Sequence, residues 1–170
     1  MTPAVLLREI EDSLRPLVQG EGGELDVGET PEDTLSLLGV SPSNFRVILQ
    51  WAGHDGDGAT YGSSRVGRIA VIVQAAKGMR VDRGADLHRP APADPTKLPF
   101  LELVAKVNAF IRSLVFLDSE GQLVDDIEHI KSRNRRQCFT ELGGDWLEIE
   151  GVALRQYQTN FSLRYADTAA

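Results

Sequence analysis

The sequence predicts an α+β fold: an antiparallel or mixed sheet of about four main strands with two helices packed on one face. Three observations predict it. Leu98–Leu117 sets apolar residues at Phe100, Leu103, Val104, Val107, Phe110, Ile111 and Leu114, the i, i+3, i+4, i+7 spacing of one helical face. Phe45–Ala52 alternates Phe45, Val47, Leu49 and Trp51 to one face, and Arg68–Lys77 is dense in β-branched residues, the marks of strands. Leu154–Tyr165 sets Tyr157, Thr159, Phe161, Leu163 and Tyr165 on one face and Gln156, Gln158, Asn160, Ser162 and Arg164 on the other. A helix with one wide greasy stripe must lie on something, and a sheet is the partner at hand.

Taken in order, the chain opens on Thr2-Pro3, a hydroxyl cap followed by proline at the first helical position. Val5, Leu6, Ile10 and Leu14 then repeat at helical spacing, predicting an amphipathic helix over Pro3–Arg15. Pro16 is expected to end or bend it, with room for one last turn through Val18. Gly20–Ser43 is acidic and rich in turn formers and reads as an exposed loop, with Leu35, Leu37 and Leu38 tucking one part down. In the strand Phe45–Ala52, Ile48 lies on the face opposite Phe45, Val47, Leu49 and Trp51, so both faces are expected to be covered in part.

Gly53–Gly67 reads as a long Gly-rich hairpin loop, and Arg68–Lys77 as its antiparallel partner, apolar on both faces and therefore central. Pro90, Pro92 and Pro95 rule out regular structure through the irregular stretch 78–97. After the long helix, of roughly 18 residues or ~27 Å, Asp118–Gly121 turns the chain. Gln122–Asn134 fits either a short helix or a crossing loop. Arg136–Leu142 and Trp146–Glu150, separated by Gly143-Gly144-Asp145, read as a tight hairpin.

Length and composition bound the function. At 170 residues and 42% hydrophobic content, the chain suits a single domain spanning 1–170. A net charge of −7 argues against wrapping nucleic acid over a broad surface, and no sequence-specific nucleic-acid binding is expected. The lone Cys138 allows no intrachain disulfide and no Cys-rich metal site, and reads as a small core residue. Glu9, Glu11 and Asp12 interrupt the first residues too early for a signal peptide, and no apolar run reaches the ~20 residues of a membrane span.

Catalytic signatures are weak throughout. His54-Asp55-Gly56-Asp57-Gly58 has two carboxylates and an imidazole beside turn-forming glycines. A calcium loop needs a third oxygen ligand and a closing glutamate, and Ala59 and Val66 stand at those places. A metal-dependent enzyme built on His54, Asp55 and Asp57 is the remotest reading. His54, His88 and His129 show no ligand spacing, Ser63-Ser64 lacks a nucleophile-elbow frame, and no phosphate-binding glycine loop follows a strand. No enzyme activity and no cofactor are expected.

Lys131–Arg136, KSRNRR, is the one basic cluster. It reads either as a solvated turn or as a docking patch for an acidic neighbour, such as the Glu21–Asp33 stretch of a second copy. The candidate interface residues are Asp55, Asp57, Tyr61 and Arg65 around the Gly-rich loop, and Arg133, Arg135 and Arg136 in the basic cluster.

In this order of elements the chain resembles the tail terminator (tail completion) proteins of long-tailed bacteriophages and the related Mu-type tail proteins. The resemblance runs over nearly the whole length. It rests on the opening helix VLLREIEDSLRPL, the strand FRVILQW, the Gly-rich loop before RIAVIVQAA, the helix LELVAKVNAFIRSLVF and the closing strand YQTNFSLRY. It implies a virion protein assembled in the host cytoplasm. Such a protein forms a homohexameric ring that caps the tail tube, stops its polymerisation and offers a surface to the head-completion or connector protein. By the same analogy the Gly53–Gly67 tip sits at a ring surface, and the 20–43 and 79–97 stretches are insertions. A different head–tail joining protein or a contractile-apparatus subunit is the alternative.

Overall fold

A computed structural model describes residues 1–28, 45–56, 64–76, 98–132, 135–147 and 154–166. The elements are α1 (Pro3–Gly20), β1 (Glu24–Gly28), β2 (Arg46–Gly56), β3 (Ser64–Ala76), α2 (Phe100–Ser113), β4 (Ile130–Ser132), β5 (Arg135–Gln137), β6 (Thr140–Trp146) and β7 (Leu154–Ala166). Five strands form a mixed sheet in the order β1-β2-β3-β7-β6, and β4 and β5 pair as a separate two-stranded ribbon. β1 runs parallel to β2 and every other neighbour is antiparallel. The α+β class, the mixed sheet and the two helices on one face agree with the sequence-based expectation.

The packing explains why. α1 buries Leu6, Ile10, Leu14 and Val18, and α2 buries Phe100, Leu103, Val104, Val107 and Ile111. Both stripes join one core with Val47 and Leu49 of β2, Ile69, Val71 and Val73 of β3, and Phe161, Leu163 and Tyr165 of β7. Val47 and Leu49 lie opposite Val73 and Val71, Ile69 lies opposite Phe161, and Leu163 and Tyr165 continue the same alternation along β7, so a single sheet face carries both helices. On the reverse face Ile48, Ala70 and Ile72 are also buried, and Gln74 Nε2 donates to Gln156 Oε1 at 2.6 Å.

Several boundaries differ from expectation. α1 passes through Pro16 and ends at Gly20. Val18 continues the Leu6-Ile10-Leu14 stripe into the core, while Pro16 faces solvent, where water can serve the carbonyl its ring leaves without an amide partner. α2 is shorter than expected: Leu114 is extended (φ −63°, ψ 134°), and Ser113 Oγ donates back to the Phe110 carbonyl at 2.7 Å. Leaving the helix there lets Phe116, which is off the buried stripe, reach Phe139 at 5.9 Å between ring centroids.

β1 lies where an exposed loop was expected, with Leu25 buried beneath α1; the remainder of that stretch, 29–44, lies outside the described residues. The β2–β3 hairpin is longer than expected, because a bulge between Trp51 and Gly53 carries β2 on to Gly56 and β3 begins at Ser64. Only 57–63 of the Gly-rich connection, and 77–97 of the Pro-rich one, fall outside the described residues.

The Gly143-Gly144-Asp145 hairpin does not form. One strand, β6, runs through all three residues against β7, with a register shift between Glu141 and Gly143. Gly143 holds φ +123°, a backbone that glycine alone adopts readily, so the glycines make a bulge inside a strand where a turn was expected. Arg135–Gln137 pairs instead with Ile130–Ser132. The ambiguous stretch before it is a crossing segment, tied to the sheet by the Ile127–Tyr165 bridge.

Candidate assembly surface

Two of the sequence-derived candidates, Asp55 and Arg65, lie at one end of the sheet. That end is formed where β2 finishes, β3 starts and β7 finishes: Arg65 lies opposite Gly56 on one side and Tyr165 on the other. The crossing segment completes it, because the Glu128 amide donates to the Arg164 carbonyl at 3.0 Å and leads straight into β4. Val66, Glu128, Ile130, Cys138, Thr140 and Arg164 line a shared cleft of about 150 Å³. The hairpin end and the basic ribbon, some 65 residues apart in sequence, are thus neighbours in space.

Asp55 is exposed on β2 and faces Arg68 across the hairpin at 3.4 Å. Arg65 is half-buried on β3. Arg136 is exposed on β5 and lines a depression of about 400 Å³ with Ala109, Arg112, Ser113 and Gln137. Arg112, in the last turn of α2, pairs with Glu141 of β6. The backbone of Arg135 is in β5, while Asp57, Tyr61 and Arg133 lie outside the described residues.

His54 and Asp55 are both exposed on β2. Among the described residues no group of three or more His, Cys, Asp or Glu is arranged to hold a metal ion. Cys138 is buried between the Phe116 and Phe139 region and β6. Burial pushes its thiol up from the ordinary 9.0 to about 11, with a backbone hydrogen bond at Phe116 pulling the other way. A thiol held protonated in this way is a packing group and a poor nucleophile. No helix is long and apolar enough to cross a membrane among the described residues.

Sequence reasoning broke β6 in two, placing a turn at Gly143–Asp145 inside what is one strand. All seven of its residues are exposed, and among the described residues it ends the sheet with β7 on one side only. Leu142 is 56% exposed. Trp146 is 40% exposed even though it stacks on Phe100 at 5.7 Å and meets Tyr157 edge-on at 5.2 Å. Paired glycines inside a β-prone run signal a bulge as well as a turn, and that second meaning would have revealed an edge strand.

The surface therefore has cationic and acidic parts side by side, an open strand edge, and apolar side chains in solvent. An open strand edge of this kind can pair with another strand, and exposed apolar side chains can be covered by a contact. Compared with family models and with curated proteins, the sequence matches none.

Proposed function

We propose that this chain is a structural subunit of a long-tailed bacteriophage, acting at the end of the tail tube as a tail terminator. In this reading it assembles into a homohexameric ring, stops addition of tube protein and presents a docking surface to the head-completion or connector protein. The observation that carries the reading is the order of elements: an opening amphipathic helix, a long hairpin, a second amphipathic helix and a long final strand, with both helices on one sheet face. That order is the one on which the resemblance to tail terminators rests.

The surface chemistry supports it. A ring subunit needs unlike lateral surfaces that fit one another, and a passive building block works through its edges and loops. The exposed edge of β6 and the exposed Arg136 are surfaces of that kind. The test is direct. Purified chain is added to tail tubes polymerising in vitro, and tube length and end structure are read by negative-stain microscopy. The expected result is arrested growth with a six-fold ring on one tube end. Tubes that elongate unchecked at saturating protein overturn the proposal.

A further inference from the structure

We propose that the β4–β5 ribbon of one copy docks against the open edge of β6 in a second copy. This rests on the reading of the chain as a self-assembling subunit and names the contact that joins two copies. Four observations carry it.

The first is an unfilled strand position. β6 is exposed from Thr140 to Trp146 and, among the described residues, bonds to β7 alone, and an open edge of this length is a template for another strand. The second is the ribbon. β4 and β5 are three residues each and form a sheet of their own. A two-stranded ribbon is marginal in water, and a third strand from a partner's sheet would complete it.

The third is charge. β6 carries Glu141 and Asp145 and no cation, whereas β4 and β5 carry Lys131, Arg135 and Arg136 and no acid. Charge also disfavours the other strand partners, although Arg112 of the same copy pairs with Glu141. Two β6 edges paired antiparallel about Gly143 would set Glu141 opposite Asp145 twice, and like charges directly opposite are destabilising. The other sheet edge, β1, carries Glu24 and Asp26, both paired with Arg46 of β2, and has no cation of its own to offer β6. The ribbon is the described strand element of opposite sign. The fourth is apolar surface: Ile130 of β4 is 41% exposed and Leu142 of β6 is 56% exposed, so the contact would bury one against the other.

The test is a charge swap on the full chain, followed by sedimentation equilibrium with circular dichroism as the check on folding. Arg136→Glu and Asp145→Lys are both at exposed positions; Arg136 makes no ion pair among the described residues, and Asp145 bonds only the amide of Trp146. Each single reversal is expected to weaken self-association about tenfold or more. An equimolar mixture of the two variants, or both changes in one chain, is expected to recover most of it. Leu142→Lys, also exposed, serves as an independent block of the edge and is expected to weaken association with the dichroism unchanged.

Single reversals that leave association unchanged, or a double variant weaker than either single, overturn the pairing and leave the ring reading standing. A wild-type chain that stays monomeric at high concentration and yet caps tubes does the same. A chain that neither associates nor caps overturns both.

Discussion

At the scale of single residues, two buried polar groups carry testable weight. Asn108 sits on the buried stripe of α2, and its Nδ2 donates to Thr159 Oγ1 of β7 at 2.9 Å. Both residues are buried, so the bond fixes how the helix sits along the sheet. Asn108→Ala is expected to lower unfolding stability by about 1–3 kcal/mol, because a buried hydroxyl loses its partner. The pair Asn108→Leu with Thr159→Val is expected to recover most of that loss, since removing both partners removes the penalty. Urea titration of the three variants checks it.

Cys138 gives a pH signature. Its thiol is held protonated by burial up to about pH 11, while in the unfolded chain it ionises near 9.0. Between those values the folded chain binds the extra proton, so the stabilisation is intact below pH 9 and is lost as pH rises towards 11. A two-unit shift corresponds to about 2–3 kcal/mol. Stability measured across pH 8–11 is expected to fall more steeply in the wild type than in Cys138→Ala. Parallel curves for the two proteins would show that the thiol contributes nothing.

At the scale of elements, α1 shows what a local rule misses. Proline disfavours the helical region for the residue before it, yet α1 runs four residues past Pro16 to Gly20. The buried Val18 outweighs the local cost because its side chain completes the stripe under the core. The cost is still present, so Pro16→Ala is expected to raise stability by about 1–2 kcal/mol by restoring the missing amide, with part of the gain offset by a looser unfolded state. Thermal melting checks the sign.

The same contest decides how much was legible in the sequence. Elements with a long, strict period, α2, β3 and β7, were readable because burial alone dictates them. β1 was hidden because its five residues are acidic and short, and its position comes from pairing with β2 and lying beneath α1. β6 was hidden because its two glycines make a turn in one context and a bulge in another, and only the pairing with β7 decides. At the candidate surface, the basic cluster and the Gly-rich hairpin were legible as separate features. Their meeting was not, because it depends on Ile127 bridging to Tyr165 across the chain.

At the scale of the whole molecule, the proposed contact is electrostatic in a chain whose net charge is −7. Attraction between the ribbon and β6 has to work against general repulsion between copies. Salt screens both, with a Debye length of ~10 Å at 0.1 M and ~3 Å at 1 M. Close pairs between Arg136 and the β6 carboxylates act inside the first of those lengths, and the repulsion of the remaining acids acts across many. Self-association is therefore expected to strengthen from very low salt to moderate salt and to weaken again towards 1 M. Light scattering over that series checks it, and a curve rising throughout would point to an apolar contact.

The ammonium of Met1 donates to Asp126 Oδ2 at 2.9 Å and to the carbonyl of Ala166 at 2.8 Å. Met1 thus holds the start of α1 against both the crossing segment at Asp126 and the last residue of β7, so Asp126→Ala is expected to loosen the seating of that helix on the sheet, read as faster amide exchange in its first turn.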